Sequence, residues 1–407
     1  MPVIETAEDL DKAIEVYIAE ANVDAGQVKP VPDRRTEHRE YVLGFREVTE
    51  DLVKLFAVAN GDTNPLWRDK AYAEKSPWGG IVAPPLYIYT AASIVALPAP
   101  PEIEGFNMYA AGNHVEFHVP IRPGDKFTAE DVWLGVEDRS RPGRPHRTLL
   151  YRGARRFYNQ RGERIITLTG HVLATIPLPG HGDNLAPPQP GRELTAYSDA
   201  ELDEIYDHYD QELAGELRRG AEPRFWEDVA VGDDLGVVLK GPLDTLDNAA
   251  FLGVIAGGIA FADKWEMIRG ERMHSPRDPV TRAYHFQMDW HLVDSSAQHF
   301  GMPRAIGFGI FMEMHLTHLV NNWLGDLGWV QEMETRIGAP MFAGDIARIT
   351  GAVTRVYEED GIGKAEVSLR AVERTGIEMM SATAIVQLPH RGAPEEVVER
   401  LVGNESA

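Results

Sequence analysis

Gly61-Asp62-Thr63-Asn64-Pro65-Leu66-Trp67, followed by Trp78-Gly79-Gly80-Ile81-Val82-Ala83-Pro84-Pro85, is the stretch from which the organisation of this 407-residue chain can be read. Upstream, Thr49 lies seven residues before Phe56 and reads as the N-cap of a short apolar helix ending at Gly61. Downstream, Pro85 opens an apolar run, Leu86 to Leu97, read as a long helix; then come Pro120, a Gly124-Asp125 turn and alternating β-rich segments. The same order returns about 200 residues later. Asp244 lies seven residues before Phe251, and His291 lies six before Ala297 as Trp67 lies six before Ala73. Gly309 opens a second apolar helix, Ile310 to Leu324, and Pro340 with Gly344-Asp345 leads into further alternating segments. A period that long excludes a solenoid and implies two copies of one α+β domain.

The β-rich segments expected are Phe127 to Val136, Thr148 to Asn159, Ile165 to Ile176, Ala347 to Tyr357, Ala365 to Val372 and Met379 to Leu388. Leu10, Ile14, Tyr17 and Ile18 stand at helical spacing before Gly26 and predict a peripheral N-terminal helix. Five prolines between Pro177 and Arg192 mark a linker, and Ser198 to Arg219 predicts an acidic linker helix capped by Ser198 or Asp199. The chain thus divides into an N-terminal extension (1–35), a first domain (36–179), a linker and helix (180–221), a second domain (222–391) and a tail (392–407).

Composition removes several function classes. With 63 acidic against 40 basic residues the formal charge is -23, which opposes nonspecific binding to nucleic acid or anionic membranes. The absence of cysteine excludes disulfides, a cysteine nucleophile and thiolate metal sites, and fits a reducing cytoplasm. The N-terminus has no leader pattern and no apolar run reaches about 18 residues, so neither export nor a membrane span is expected. Dinucleotide, P-loop and serine-hydrolase motifs are missing too.

The run Gly61-Asp62-Thr63-Asn64-Pro65-Leu66-Trp67 resembles the active-site loop of the MaoC-like, (R)-specific enoyl-CoA hydratase family. There the pattern is Gly-Asp-x-Asn-Pro-aliphatic-His, and Asp and His flank a water and exchange protons with the acyl chain. Residues from about 40 to 178 look like the N-terminal MaoC-like dehydratase domain, related to the dehydratase region of fungal fatty acid synthases. Residues from about 222 to 390, beginning at Phe225-Trp226-Glu227-Asp228-Val229-Ala230-Val231-Gly232-Asp233, are similar to a second such domain. The resemblance implies a double hotdog, two antiparallel sheets each wrapped around a long central helix. It implies no metal and no cofactor, with coenzyme A entering as part of an acyl-CoA substrate.

Carried over position by position, the family's machinery is divided between the halves. Asp62 and Asn64 are in place, but Trp67 holds the histidine position, and an indole N–H has no basic nitrogen to act as general base. Pro85 stands where a backbone N–H at the helix start would hold the thioester oxygen, and proline has none. Asx side chains also hold tight loops by bonding backbone amides, which accounts for Asp62 and Asn64 without catalysis. In the second half His291 takes the histidine position and Gly309 that of the oxyanion donor, while the aspartate position is Phe286. Phe251 and His291 are 40 residues apart where Phe56 and Trp67 are 11 apart, so an insertion lies between them. Asp263 inside it, or nearby Asp289 or Asp294, is a candidate second acid.

Arg139, Arg141, Arg144 and Arg147 form a basic cluster that either binds CoA phosphates or decorates a solvated hairpin around Pro142-Gly143. His315 and His318, three apart, lack a third ligand at metal spacing and read as packing. The expected activity is interconversion of a 2-enoyl-CoA and a 3-hydroxyacyl-CoA of bulky or long acyl group, with Phe308, Phe311 and Met312 lining an acyl tunnel. A hotdog thioesterase and a non-catalytic acyl-CoA-binding subunit are the alternatives. Association into a homo-oligomer, or with a homologous hotdog chain, is left open.

Overall fold

Strands in the computed structural model follow the alternation of apolar and polar residues. In Ala365-Glu366-Val367-Ser368-Leu369-Arg370-Ala371, for example, every odd-numbered side chain is buried and the others face outward. The structure describes residues 4–31, 44–92, 97–98, 101, 103, 106–181, 193–194, 196–255, 277–284, 287–299 and 301–403. The first half contributes β1 (Val28–Pro30), β2 (Asn107–Phe117), β3 (Thr128–Asp138), β4 (His146–Tyr158) and β5 (Arg164–Pro177). The second contributes β6 (Asp234–Lys240), β7 (Trp329–Ile337), β8 (Ala347–Glu359), β9 (Ile362–Val372) and β10 (Glu378–Leu388). All pairs are antiparallel, in the order β1-β3-β4-β5-β2-β7-β10-β9-β8-β6. Read from either edge inward, the two halves have one topology, which is the repeat seen in the spacing of the sequence.

Two features differ from expectation. The strands form one continuous sheet rather than two, because β2 pairs β7 in register His114↔Glu334, Val115↔Met333 and Glu116↔Glu332. The halves approach so closely there that a Cβ on Gly112, whose φ is +137°, would lie 2.1 Å from the Thr335 carbonyl oxygen; only glycine fits. The long helix expected from Leu86 to Leu97 is, in its described part, a single 3-10 turn, Tyr87–Thr90, while residues 93–96 lie outside the described residues. Leu86 enters that turn with φ 65°, and Tyr-Ile-Tyr-Thr are weak helix formers that lose rotamer freedom in a helix. Their buried side chains fill the core without a helix.

In the second half the long helix forms. Gly309–Leu324 packs against β6, β7, β8, β9 and β10, and thirteen of its sixteen residues are buried. A helix buried on every side is held by packing, each large apolar side chain contributing about 1.5–3 kcal/mol over exposure. Ser198 caps the acidic linker helix, Asp199–Ala214, through a capping box with Glu201, and Thr6 caps Ala7–Ala21 in the same way. Thr49 and Asp244 cap the equivalent short helices Glu50–Ala59 and Thr245–Val254, which pack against each other across the halves.

Polar side chains also join the halves. Glu313, fully buried on the long helix, accepts hydrogen bonds from Tyr89 Oη, Asn113 Nδ2 (3.0 Å) and Thr335 Oγ1 (2.6 Å). Burial pushes its carboxyl up from the usual range, and these three donors oppose the shift. Glu313→Gln keeps the volume but brings an amide N–H₂ against groups that already donate. We expect a loss of about 1–3 kcal/mol, read as a lower urea midpoint at unchanged m-value. No helix among the described residues is long and apolar enough to cross a membrane.

Candidate active site

In the first half the loop holds itself. Asp62 is buried, and its carboxylate accepts from the Asn64 N–H (2.9 Å) and from Trp67 Nε1 (3.0 Å). Asn64 caps the turn Pro65–Arg68 by accepting from Leu66 N–H at 3.0 Å. The indole at the histidine position thus donates to the aspartate, which has no oxygen left unengaged. Sequence reading missed Lys240, whose buried ammonium donates to the carbonyls of Asn60 (2.9 Å) and Gly61 (3.0 Å) and faces Asp62. Beside it Glu212 of the linker helix binds His318 Nε2 (2.9 Å), Thr63 Oγ1 (2.7 Å) and Asn322 Nδ2 (3.2 Å). Despite the cost of burial, His318 above all holds the Glu212 carboxyl well below the usual range. The loop that resembles an active site is locked from behind by the linker and the second half.

His318 is therefore engaged by a carboxylate, and both ring nitrogens of His315 are buried without a partner among the described residues. Among the described residues no three His, Asp or Glu side chains are grouped as a metal would need.

His291 and Gly309 are brought together. His291 ends the 3-10 turn Gln287–His291, and its ring stacks on Phe308 with centroids 3.7 Å apart and planes 19° apart. Phe308 is the N-cap of the long helix, so the imidazole lies against the residue that immediately precedes Gly309. No side chain caps this helix end, and among the described residues the Gly309 N–H has no partner. Free N–H groups and the helix dipole suit such an end to developing negative charge. Ring contacts continue from Phe308 through Phe251 to Phe311 and His315, tilted except for the stacked Phe251–Phe311 pair, so Phe308 and Phe311 fill a buried aromatic row, with Met312 buried beside it.

The only polar partner of the imidazole among the described residues is the Ile306 carbonyl, 2.8 Å from Nδ1. A carbonyl only accepts, so Nδ1 carries the proton and Nε2 presents a lone pair. Burial pulls the imidazole down to about 4, against the opposing effect of the Ile306 hydrogen bond. Between that value and the ordinary 6.5 the unfolded chain binds the proton first. Stability tied to His291 is therefore present above about 6.5 and lost as pH falls through that window. For a reaction that uses the neutral ring, we expect the acid limb of the pH–rate profile near 4 to 5 rather than near 6.5, measured as kcat/KM against pH.

Neither nearby carboxylate touches the ring. Asp294 accepts from the Ala305 N–H at 2.8 Å, and Asp289, buried in the same 3-10 turn, receives Leu292 and Val293 N–H on its backbone carbonyl. Asp263 lies outside the described residues, as does Phe286. Of the four arginines, Arg139 pairs with Glu137 (2.5 Å) and Arg147 with Asp11 (2.9 Å) and Asp138 (3.6 Å). Arg141 and Arg144 stand exposed on the turn between β3 and β4, without an ion pair among the described residues.

Asn248 was missed. It stands three and four residues before Phe251 and Leu252, on the apolar face of its helix, and a buried amide at that spacing is the signal that would have found it. It is 1% exposed and donates to the carbonyls of His291 (2.7 Å) and Ile306 (3.3 Å). A cavity of about 610 Å³ lies elsewhere, between the end of the first helix, β1 and Trp133.

Residues 41–168 match the family model described as "FAS1-like, dehydratase domain region". No curated protein matches the chain. A solved structure described as a MaoC-like dehydratase superposes with a TM-score of 0.57 at 18% identity, covering 91% of this chain and 99% of its own. A putative MaoC domain protein dehydratase from Chloroflexus aurantiacus J-10-fl gives 0.52 at 15% identity, with 90% and 96% covered. At these identities the superpositions show a shared fold.

Proposed function

We propose that this chain, whose residues 41–168 match a FAS1-like dehydratase region and which superposes along most of its length on a MaoC-like dehydratase, is a double-hotdog hydro-lyase acting in its second half. The substrate pair is a 2-enoyl-CoA and a 3-hydroxyacyl-CoA. The observation that carries the reading is the stacking of His291 on Phe308 at the uncapped start of the long helix. On this reading a base and an N–H donor serve one substrate position, as acid–base addition next to a thioester requires.

In the hydration direction the thioester oxygen lies against the Gly309 N–H, and His291 Nε2 takes a proton from the water that adds to C3. Charge moves through C2 onto the thioester oxygen, where the helix N-terminus stabilises the enolate. The imidazolium faces the side from which the water came, and a buried ring that titrates near 4 is a strong enough acid to return its proton to C2. Addition on one face follows from one group serving both steps. Asp62 and Asn64 take no part: their oxygens are spent on the loop. Arg141 and Arg144 remain available for CoA phosphates, whereas Arg139 and Arg147 are answered by carboxylates. A bulky or long acyl group would have to displace part of the aromatic row at Phe308 and Phe311.

The lack of a carboxylate against His291 among the described residues favours one second reading, an acyl-CoA-binding subunit that works with a homologous chain. A panel of 2-enoyl-CoAs separates them. Loss of the enoyl-thioester absorbance without free thiol is the expected result. Thiol release would identify a thioesterase, and no change with any acyl group would leave the binding subunit.

A further inference from the structure

We propose that Asn248 is a positioning residue that fixes the tautomer of His291; the inference rests on the reading of His291 as the base. Its side-chain nitrogen donates to two carbonyls at once, those of His291 and Ile306. The Ile306 oxygen is also the acceptor for His291 Nδ1. One amide thus ties the backbone of the histidine to the group that decides which ring nitrogen keeps the proton. Both partners of the amide are acceptors, so its orientation is set by chemistry: turned over, its oxygen would face two carbonyl oxygens.

Two further observations point to positioning rather than filling. Among the described residues Asn248 Oδ1 is buried with no partner, an arrangement that costs free energy and that an apolar residue of the same shape would avoid. The tie also spans the sequence from the capped helix Thr245–Val254 to the loop before Gly309, across residues 43 and 58 positions away. It therefore locks the base and the approach to the oxyanion donor as one unit. The Gly307 N–H at the other end of that peptide donates to the Met341 carbonyl at 2.8 Å, so the backbone before Gly309 is held on one side and Asn248 ties its Ile306 oxygen to the His291 backbone on the other; without the amide the histidine loop is free to draw away and leave Nδ1 without its acceptor. The proton could then move to Nε2, and the atom facing the substrate would be a donor where the reaction needs a lone pair.

The test reads the resting protein, without substrate. Full-length protein labelled with ¹⁵N-histidine is recorded by long-range ¹H–¹⁵N correlation, with His291→Gln identifying the signal. Wild type should show only the Nδ1–H tautomer at pH 7. Asn248→Leu, close in shape and without donors, should show both tautomers in exchange. Asn248→Asp, isosteric but without the N–H₂, sets an oxygen against the same two carbonyls and should likewise show both tautomers in exchange. Kinetically, either variant should lower kcat more than it raises KM.

An Nε2–H tautomer in wild type, or a folded variant that keeps the wild-type signal, overturns the proposal. If Asn248→Leu does not fold, the isosteric Asn248→Asp and the wild-type tautomer decide it. Because the spectrum needs no turnover, a correct tautomer in an inactive protein would count against the hydro-lyase reading alone, and an active protein with unchanged tautomers against Asn248 alone.

Discussion

His291→Ala should lower kcat for hydration of a 2-enoyl-CoA by about 10²–10⁴-fold, the usual contribution of a positioned acid–base group. The imidazole lies against the residue that starts the long helix, held there by Phe308 and by the Ile306 carbonyl. Its removal leaves the Gly309 N–H intact, so substrate binding should change little and the loss should fall on kcat. The substitution also opens a space beside Phe308, so unchanged circular dichroism and denaturant midpoint are part of the result. A variant that keeps wild-type kcat while folded would remove His291 from the chemistry.

Gly309→Pro is expected to lower kcat by about 10²–10³-fold, the loss typical of one oxyanion donor. It makes the second half resemble the first, where Pro85 stands at the matching position. Proline is well tolerated at the first position of a helix, where the N–H has no helical acceptor. Phe308, with φ -68° and ψ 134°, already has the extended backbone that a residue before proline needs. A Cβ at this position would meet the Cδ1 of Ile337 at 2.6 Å, the far end of a side chain that can turn away. The helix should therefore persist while the donor is lost. Measured together, the two variants should cost less than the sum of their separate losses, because base and donor act on one transition state.

The repeat, the α+β class, six strands and three helix caps were legible from spacing and residue type. Each depends on nearest neighbours in sequence: a capping side chain reaches its own helix, and strand alternation reports one buried face. The two strands that join the halves were not read. Asn107–Phe117 and Trp329–Ile337 carry polar residues on both faces: His114, Glu116, Glu332 and Glu334 meet on one face of the junction, and Asn113 and Thr335 bond on the other. Local pattern carries no sign of such a pairing. The helix expected after Pro85 is a 3-10 turn in its described part for a related reason: an apolar run tells of burial, and a buried 3-10 turn satisfies it as well as a helix.

For the site, the sequence by itself determined which chemistry each half can hold. Trp67 has no basic nitrogen and Pro85 has no N–H, whereas His291 and Gly309 supply both, and these are properties of residues. Only the tertiary structure decided whether the parts meet and in what state. It set His291 on Phe308 at the helix start, gave its Nδ1 the Ile306 carbonyl, lowered its basicity by burial and tied the loop through Asn248. It also closed the first half's loop with Lys240, about 180 residues away in the chain. Burial and hydrogen bonding between distant segments arise only when the chain is folded, so no window of sequence contains them.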